Sequence, residues 1–203
     1  DPDVEVSAIT PYAFDDFRED AVPAGRQGVM FVAGFGHPPN VDAACWLVES
    51  IMPLVWIRAP GVKLSLVGSN PTDRVRSLAG KDVEVTGYVS DGELADRYEQ
   101  ARVAVVPLRY GAGIKAKVVE AMRNGVPLVT TAVGAQGLGG MEAFAPVLDD
   151  AADIADAIVD LLAQDARWRV QSACGAAFVK ERFSREAMQV AVEAAMTTKE
   201  RTP

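Results

Sequence analysis

The chain has 203 residues, 49% of them hydrophobic and 24% charged, the balance of a soluble globular protein with a substantial core. Its 28 acidic against 20 basic residues give a formal charge of −8, which excludes a general nucleic-acid or acidic-membrane surface and leaves room for a local basic pocket. One histidine, His37, rules out a zinc centre, and Cys45 and Cys174, far apart and each inside an apolar helical pattern, read as buried free thiols rather than a disulfide or metal pair.

The opening, DPDVEVSAIT, is polar and acidic where a signal peptide is charged and then apolar, and no apolar run reaches about 18 residues, so neither leader nor transmembrane segment is expected. Residues 1–27, rich in Asp, Pro and Gly with one short VEVSAI run, read as a linker or edge segment arriving from something upstream. VMFVAG, from about residue 28, is a strand, and the helix after it runs from about Val41 to Ile57, with Asn40 as its N-cap behind Pro38 and Pro39. Strands at 62–68 (VKLSLVG) and 83–89 (VEVTGYV) flank a short polar helix at 72–79. Ser90 and Asp91 begin the next helix, which leads to a strand at 101–108 (ARVAVVPL), a further helix, and a strand at 126–131 (VPLVTT). The last third is helical: one helix from Asp149, Asp150 and Asp153 to about Ala163, a second over DARWRVQSACGAAFVKERF, and a third over SREAMQVAVEAAM capped by Ser184. Strands apolar on both faces and separated by helices imply an α/β fold, a doubly wound parallel sheet with extra C-terminal helices, whose ligands bind at the carboxyl ends of the strands.

The stretch PLRYGAGIKAKVVEAMRNGVP, from Pro107 to Pro127, joins a strand through a glycine loop to a helix carrying Lys115, Lys117 and Glu120. Gly111 and Gly113 let backbone approach an anion closely, and the first free N–H groups of the helix point at it. Two lysines in the first turn oppose the helix dipole by roughly 0.3–1 kcal/mol each when exposed, a placement that makes sense with an anion present. A solvated lysine face behind an ordinary glycine turn is the alternative.

GFGHPP after the first strand has Gly34 and Gly36 at the spacing of a dinucleotide fingerprint, but Pro39 stands at the third glycine position. The second strand ends VGSNP, without the acidic residue a nicotinamide dinucleotide requires. The loop can offer backbone N–H groups and His37 to a phosphate, or be a plain turn with a surface histidine. Ser69 either lines the same crevice or is a simple loop serine. No Asp-x-Asp stands in a loop, and Asp149 and Asp150 read as helix capping.

The series FVAGFGHPPNVDA, LSLVGSNP, VEVTGYVSD and ARVAVVPLRYGAGIKAKVVEAMRNGVPLVTT, over roughly residues 28 to 183, resembles the C-terminal, donor-binding half of GT-B glycosyltransferases of the retaining, GT4-like group. The specific part is the strand ending PLR, the glycine loop and KVVEAMRNGVPLVTT. The resemblance implies a Rossmann-like nucleotide-sugar-binding domain at 28–183, with a C-terminal helix and tail at 184–203. It further implies transfer of a sugar from a nucleoside diphosphate donor, UDP or GDP among the options, to an acceptor held by an N-terminal domain that this chain does not contain. By resemblance Glu120 binds the ribose hydroxyls, a role that suits a carboxylate accepting from a vicinal diol. Its alternative is an i,i+3 partner of Lys117.

The backbone of Gly87, Tyr88 and Val89 resembles the loop that meets the nucleobase, and Ile114 lies in the donor loop. Two departures stand out. Ala112 occupies the place of a second glutamate that reaches the donor sugar, and the loop after the first strand has His37 where relatives carry an Arg and a Lys. Arg109, Lys115 and Lys117 are then the candidates for charge at the diphosphate, with a surface salt bridge as the alternative for Arg109. The implied chemistry needs no cofactor beyond the donor and no metal, and it implies a cytoplasmic protein whose parent can sit at the inner face of a membrane. A sugar-nucleotide epimerase half on the same fold, and a non-catalytic nucleotide-sensing module, are the competing readings.

Overall fold

The computed structural model of the protein describes residues 12–197. Five strands, β1 (Gln27–Val32), β2 (Leu64–Val67), β3 (Val83–Gly87), β4 (Ala101–Val106) and β5 (Leu128–Thr130), form one parallel sheet in the order β3-β2-β1-β4-β5. All six residues of β4, Arg102 included, are buried, which is why its sequence is apolar without alternation. In β3, Val85 faces Leu66 and Gly87 faces Val67, so Thr86 is one residue extra and the strand bulges just before its end.

The helices are α1 (Pro38–Trp46), α2 (Met52–Arg58), α3 (Asp73–Arg76), α4 (Asp91–Gln100), α5 (Ala116–Arg123), α6 (Ala151–Ala163), α7 (Asp165–Phe183) and α8 (Arg185–Thr197). The chain steps from β1 to β2 in one direction and from β4 to β5 in the other. Right-handed crossovers therefore place α1 and α2 on one face and α5 on the other. The expected caps at Ser90, Asp150 and Ser184 are present, each accepting from an amide in the first turn of its helix.

Two expectations about the first helix are corrected. Its N-cap is His37, with Pro38 and Pro39 in the first two helical positions, and Asn40 lies inside the helix. The single helix expected over 41–57 is α1, a π turn at Leu47–Ile51, and α2. Pro53 has no N–H to donate, and the wider turn ahead of it absorbs the broken register. This run, Pro38–Arg58, is the one described helical stretch long and apolar enough to cross a bilayer, at mean hydropathy 1.2. Ala43, Ala44, Leu47, Ile51, Met52 and Val55 are fully buried against the sheet and α6, and core packing accounts for its composition. Both cysteines are free, but Cys174 is exposed on α7, contrary to its expected burial, because the solvent side of that long helix carries it.

Residues 12–22 run along the junction of α7 and α8 and the end of α5. Phe14 donates to Phe183 O at 2.8 Å, Arg18 to Arg123 O at 2.9 Å, and Lys180 pairs with Glu19 at 2.8 Å.

Candidate functional site

Because β1 and β4 are neighbours whose connections leave in opposite directions, the loops after them diverge and open a crevice at the carboxyl edge of the sheet. Gly34, Gly36 and His37 are exposed on the β1 side. Phe35 between the glycines is buried edge-on against Phe31, and its amide donates to Ser69 O at 2.8 Å. A Cβ at Gly34 would lie 3.9 Å from Ser69 Oγ, and one at Gly68, where φ is +143°, would stand 1.9 Å from Ala33 O. The β1 and β2 loops are thus in backbone contact, and Ser69 lies beside Gly34. The β1 loop has fewer donors than expected. Pro38 and Pro39 have no N–H, and the His37 and Asn40 amides donate within the loop, to Gly34 O and His37 O.

On the β4 side, Leu108 is buried and the chain then emerges through Arg109, Tyr110, Gly111, Ala112 and Gly113, all exposed. Gly111 (φ +128°) and Gly113 (φ +77°) hold conformations that other residues rarely adopt, and a Cβ at Gly111 would sit 4.0 Å from Pro39 Cβ. The glycine loop therefore closes against the start of α1. No side chain caps α5, whose N-cap residue is Lys115, so the amides of Ala116 and Lys117 have neither a capping side chain nor an intrahelical carbonyl. The loop is anchored from behind by Thr131, buried, whose hydroxyl donates to Leu108 O and accepts from the Gly134 amide at 3.1 Å. Thr130 likewise donates to Val106 O at 2.8 Å.

Lys115 Nζ folds back onto Gly113 O at 2.5 Å. Lys117 is half-buried, with Nζ 2.6 Å from Asn40 Oδ1 and 5.4 Å from the centre of the Phe31 ring. Burial, reinforced by Lys115 and opposed by Glu120, brings its pKa down to about 8. Glu120 is not the partner of Lys117: it accepts from the buried Tyr98 phenol on α4 at 3.4 Å and makes no ion pair among the described residues. Arg109 turns to α1, where Nε lies 2.9 Å from Asp42 Oδ2, Nη2 bonds Oδ1, and the guanidinium stacks 5.3 Å over Trp46. Asp42 raises the Arg109 pKa further, so this exposed pair is the salt bridge that was the alternative reading of the residue.

Ile114 is half-buried and points away, into Gly137 of the segment after β5, so that only its backbone belongs to the glycine loop. At the end of β3, Gly87 (φ +75°) receives the Gly68 amide on its carbonyl at 3.2 Å, Tyr88 is 79% exposed, and Val89 packs on the core. The structure thus brings together Gly34, Gly36, His37, Ser69, Gly111, Gly113, Lys115 and Lys117, with Glu120 one turn down α5 and Gly87 to Val89 two strands away. Asp42 and Thr131 were not singled out from the sequence, and Asn40 was read only as a helix N-cap. A helix-start asparagine, a surface aspartate and a strand-end threonine carry no local mark of such contacts.

A cavity of about 870 Å³ lies at the opposite, amino edge of the sheet. Its cations are already engaged. Arg26 donates to Tyr98 O and Ala101 O, Arg102 to Leu161 O, and Arg58, Lys63 and Arg97 pair with Asp156, Asp82 and Glu84. They neutralise helix carboxyl ends and strand acids there. Among the described residues no three His, Cys, Asp or Glu stand together as a metal site.

Comparison with known proteins agrees with this architecture. A family model described as glycosyl transferases group 1 matches residues 26–164. The chain is 28% identical over 130 residues to an uncharacterised 44.6 kDa protein of the cps region of Klebsiella pneumoniae, covering 61% of this chain and 34% of that protein. Among solved structures, a variant of Staphylococcus aureus TarM in complex with fondaparinux, α-GlcNAc-glycerol and UDP superposes with a TM-score of 0.76 at 17% identity, over 95% of this chain and 40% of that one. Sucrose-phosphate synthase from Thermosynechococcus elongatus gives 0.66 at 25% identity, over 86% and 45%. The chain therefore spans about a third to under a half of the length of these three proteins. With the five-stranded parallel sheet and its carboxyl-edge crevice, these matches make the chain a member of the glycosyl transferases group 1 family, with the fold of the C-terminal half of a GT-B glycosyltransferase.

Proposed function

We propose that this domain binds a nucleoside diphosphate sugar at the crevice between β1 and β4 and, together with an N-terminal half that holds the acceptor, transfers the sugar with retention at the anomeric carbon. The observation that carries this reading is the uncapped start of α5, where Gly111 closes against Pro39, Lys117 reaches Asn40 beside the glycine loop of β1, and Lys115 folds over Gly113 O. Helix amides, the dipole and two ammonium groups converge where a diphosphate would lie. As the bond from the anomeric carbon to the diphosphate oxygen breaks, its electron pair stays on that oxygen. Preorganised cations and N–H groups then stabilise the transition state more than the ground state. The charge of the diphosphate is met by these groups without a metal, Glu120 receives the ribose hydroxyls, and the backbone of Gly87 to Val89 meets the base. In this reading the parent is a cytoplasmic glycosyltransferase working at a membrane face, and the isolated domain binds its donor but turns over poorly.

A nucleotide-sensing module without transfer draws on one observation, the exposed Ala112 in the donor loop where a sugar-binding glutamate stands in relatives. Calorimetric titration with UDP, GDP, ADP and CMP, with and without magnesium, tests the site. Metal-independent binding of one diphosphate, weakened at least tenfold by Glu120→Ala, is expected; absence of binding by all four overturns the reading. Sugar transfer after addition of the N-terminal half separates enzyme from sensor.

A further inference from the structure

Asn40, the third residue of α1, makes two side-chain bonds of opposite sense. Its Nδ2 donates to Gly34 O at 2.8 Å and its Oδ1 accepts from Lys117 Nζ at 2.6 Å. The orientation of the amide is unambiguous, because a carbonyl on one side demands a donor and an ammonium on the other demands an acceptor. A side chain of this length without both functions leaves one of the two groups unmatched. The bridge spans the point where the connections of β1 and β4 diverge, tying the glycine loop of one to the helix start of the other.

Lys117 faces few other groups. From α5 it meets the charges of Lys115 and Glu120, from β1 the ring of Phe31, and from α1 Asn40 alone; no carboxylate pairs with it among the described residues. A half-buried ammonium held by an amide and a ring, with no carboxylate in direct contact among the described residues, is poised for an anion.

We infer that Asn40 is a positioning residue for the donor, holding the Lys117 ammonium and the Gly34 loop in one geometry so that both meet the same diphosphate. This rests on the donor-binding reading above. It also assigns Asn40 a role that α-helix capping does not supply, since the side chain turns outward to two other segments.

The test is a double-mutant cycle on the full chain with Asn40→Ala and Lys117→Ala, read as the affinity for UDP, GDP and ADP by calorimetry. Each single variant is expected to weaken the bound diphosphate about tenfold, and the double variant no more than about the worse single one, because Asn40 acts through Lys117. Asn40→Asp keeps the size of the side chain and guards against a folding failure. It should raise the titration midpoint of the Lys117 amine, followed by NMR without ligand, yet weaken the diphosphate, because a carboxylate stabilises the ammonium and repels the ligand. Additive losses, or an amine midpoint unmoved by Asn40→Asp, overturn the role of Asn40 while leaving the donor site standing. A wild-type chain that binds none of the three nucleotides overturns the donor site itself and this inference with it.

Discussion

The phenolic oxygen of Tyr98 on α4 reaches Oε2 of Glu120 on α5 at 3.4 Å, so the carboxylate proposed to bind the ribose is oriented by a buried ring from another helix. Burial first, and Glu120 second, push the Tyr98 pKa well above its ordinary value of 10. A raised folded value means that this stabilisation is complete below about pH 10 and is lost as pH rises toward the folded pKa. Tyr98→Phe should cost about 0.5–1.5 kcal/mol at neutral pH, flatten the alkaline decline, and weaken nucleotide binding a few-fold by freeing Glu120. Urea denaturation at pH 7 and above pH 10, with calorimetry alongside, checks all three.

Lys117 predicts the opposite slope. Its folded pKa of about 8 lies below the ordinary 10.5, so the native state binds fewer protons than the unfolded chain between these values, and stability rises with pH across that window. Below about pH 8 the full penalty of the desolvated ammonium is present. Lys117→Met should therefore stabilise the fold at pH 7 by about 1–2 kcal/mol, allowing for partial solvent screening, and abolish the slope. The same variant should bind the diphosphate more weakly. A thermal melt that falls at pH 7 contradicts this account of Lys117.

Arg109 is held by Asp42 and Trp46 and faces α1, at the mouth of the crevice. If its charge serves the diphosphate, Asp42 competes for it. Asp42→Asn should change stability by less than about 1 kcal/mol, as for exposed pairs generally, and tighten UDP binding about three- to tenfold. Unchanged affinity would remove Arg109 from the diphosphate site.

Gly68 permits the β1 and β2 loops to touch. Gly68→Ala would drive a Cβ to 1.9 Å from Ala33 O at a φ of +143°, and should cost about 3 kcal/mol or more in thermal unfolding. Gly92→Ala, near the start of α4, meets nothing within 4 Å and should be neutral or stabilising by about 0.4–1 kcal/mol.

The β-α alternation, the glycine loop before α5, the caps at Ser90, Asp150 and Ser184, and the resemblance that led to the family were legible in the residues, because each is a local pattern. Asn40 shows where that legibility stops. Its type and place marked it as a helix cap, yet Pro38 already begins the helix, and the amide is spent on Gly34 and Lys117, the latter 77 positions away. Arg109 and Glu120 fared similarly: their charge and spacing were visible, their partners Asp42 and Tyr98 were not.

Thus the sequence by itself determined the fold class, the family and the glycine-loop segment proposed to face an anion, since hydrophobic period, glycine and capping chemistry act over a few residues. Which cations remain free for that anion was decided only by the tertiary structure. Packing order sets the neighbours: the pairing of β1 with β4 brings the start of α1 to the loop after β4 and the start of α5 at the carboxyl edge, and that contact engages Arg109, binds Lys117 to an amide and strips it of water.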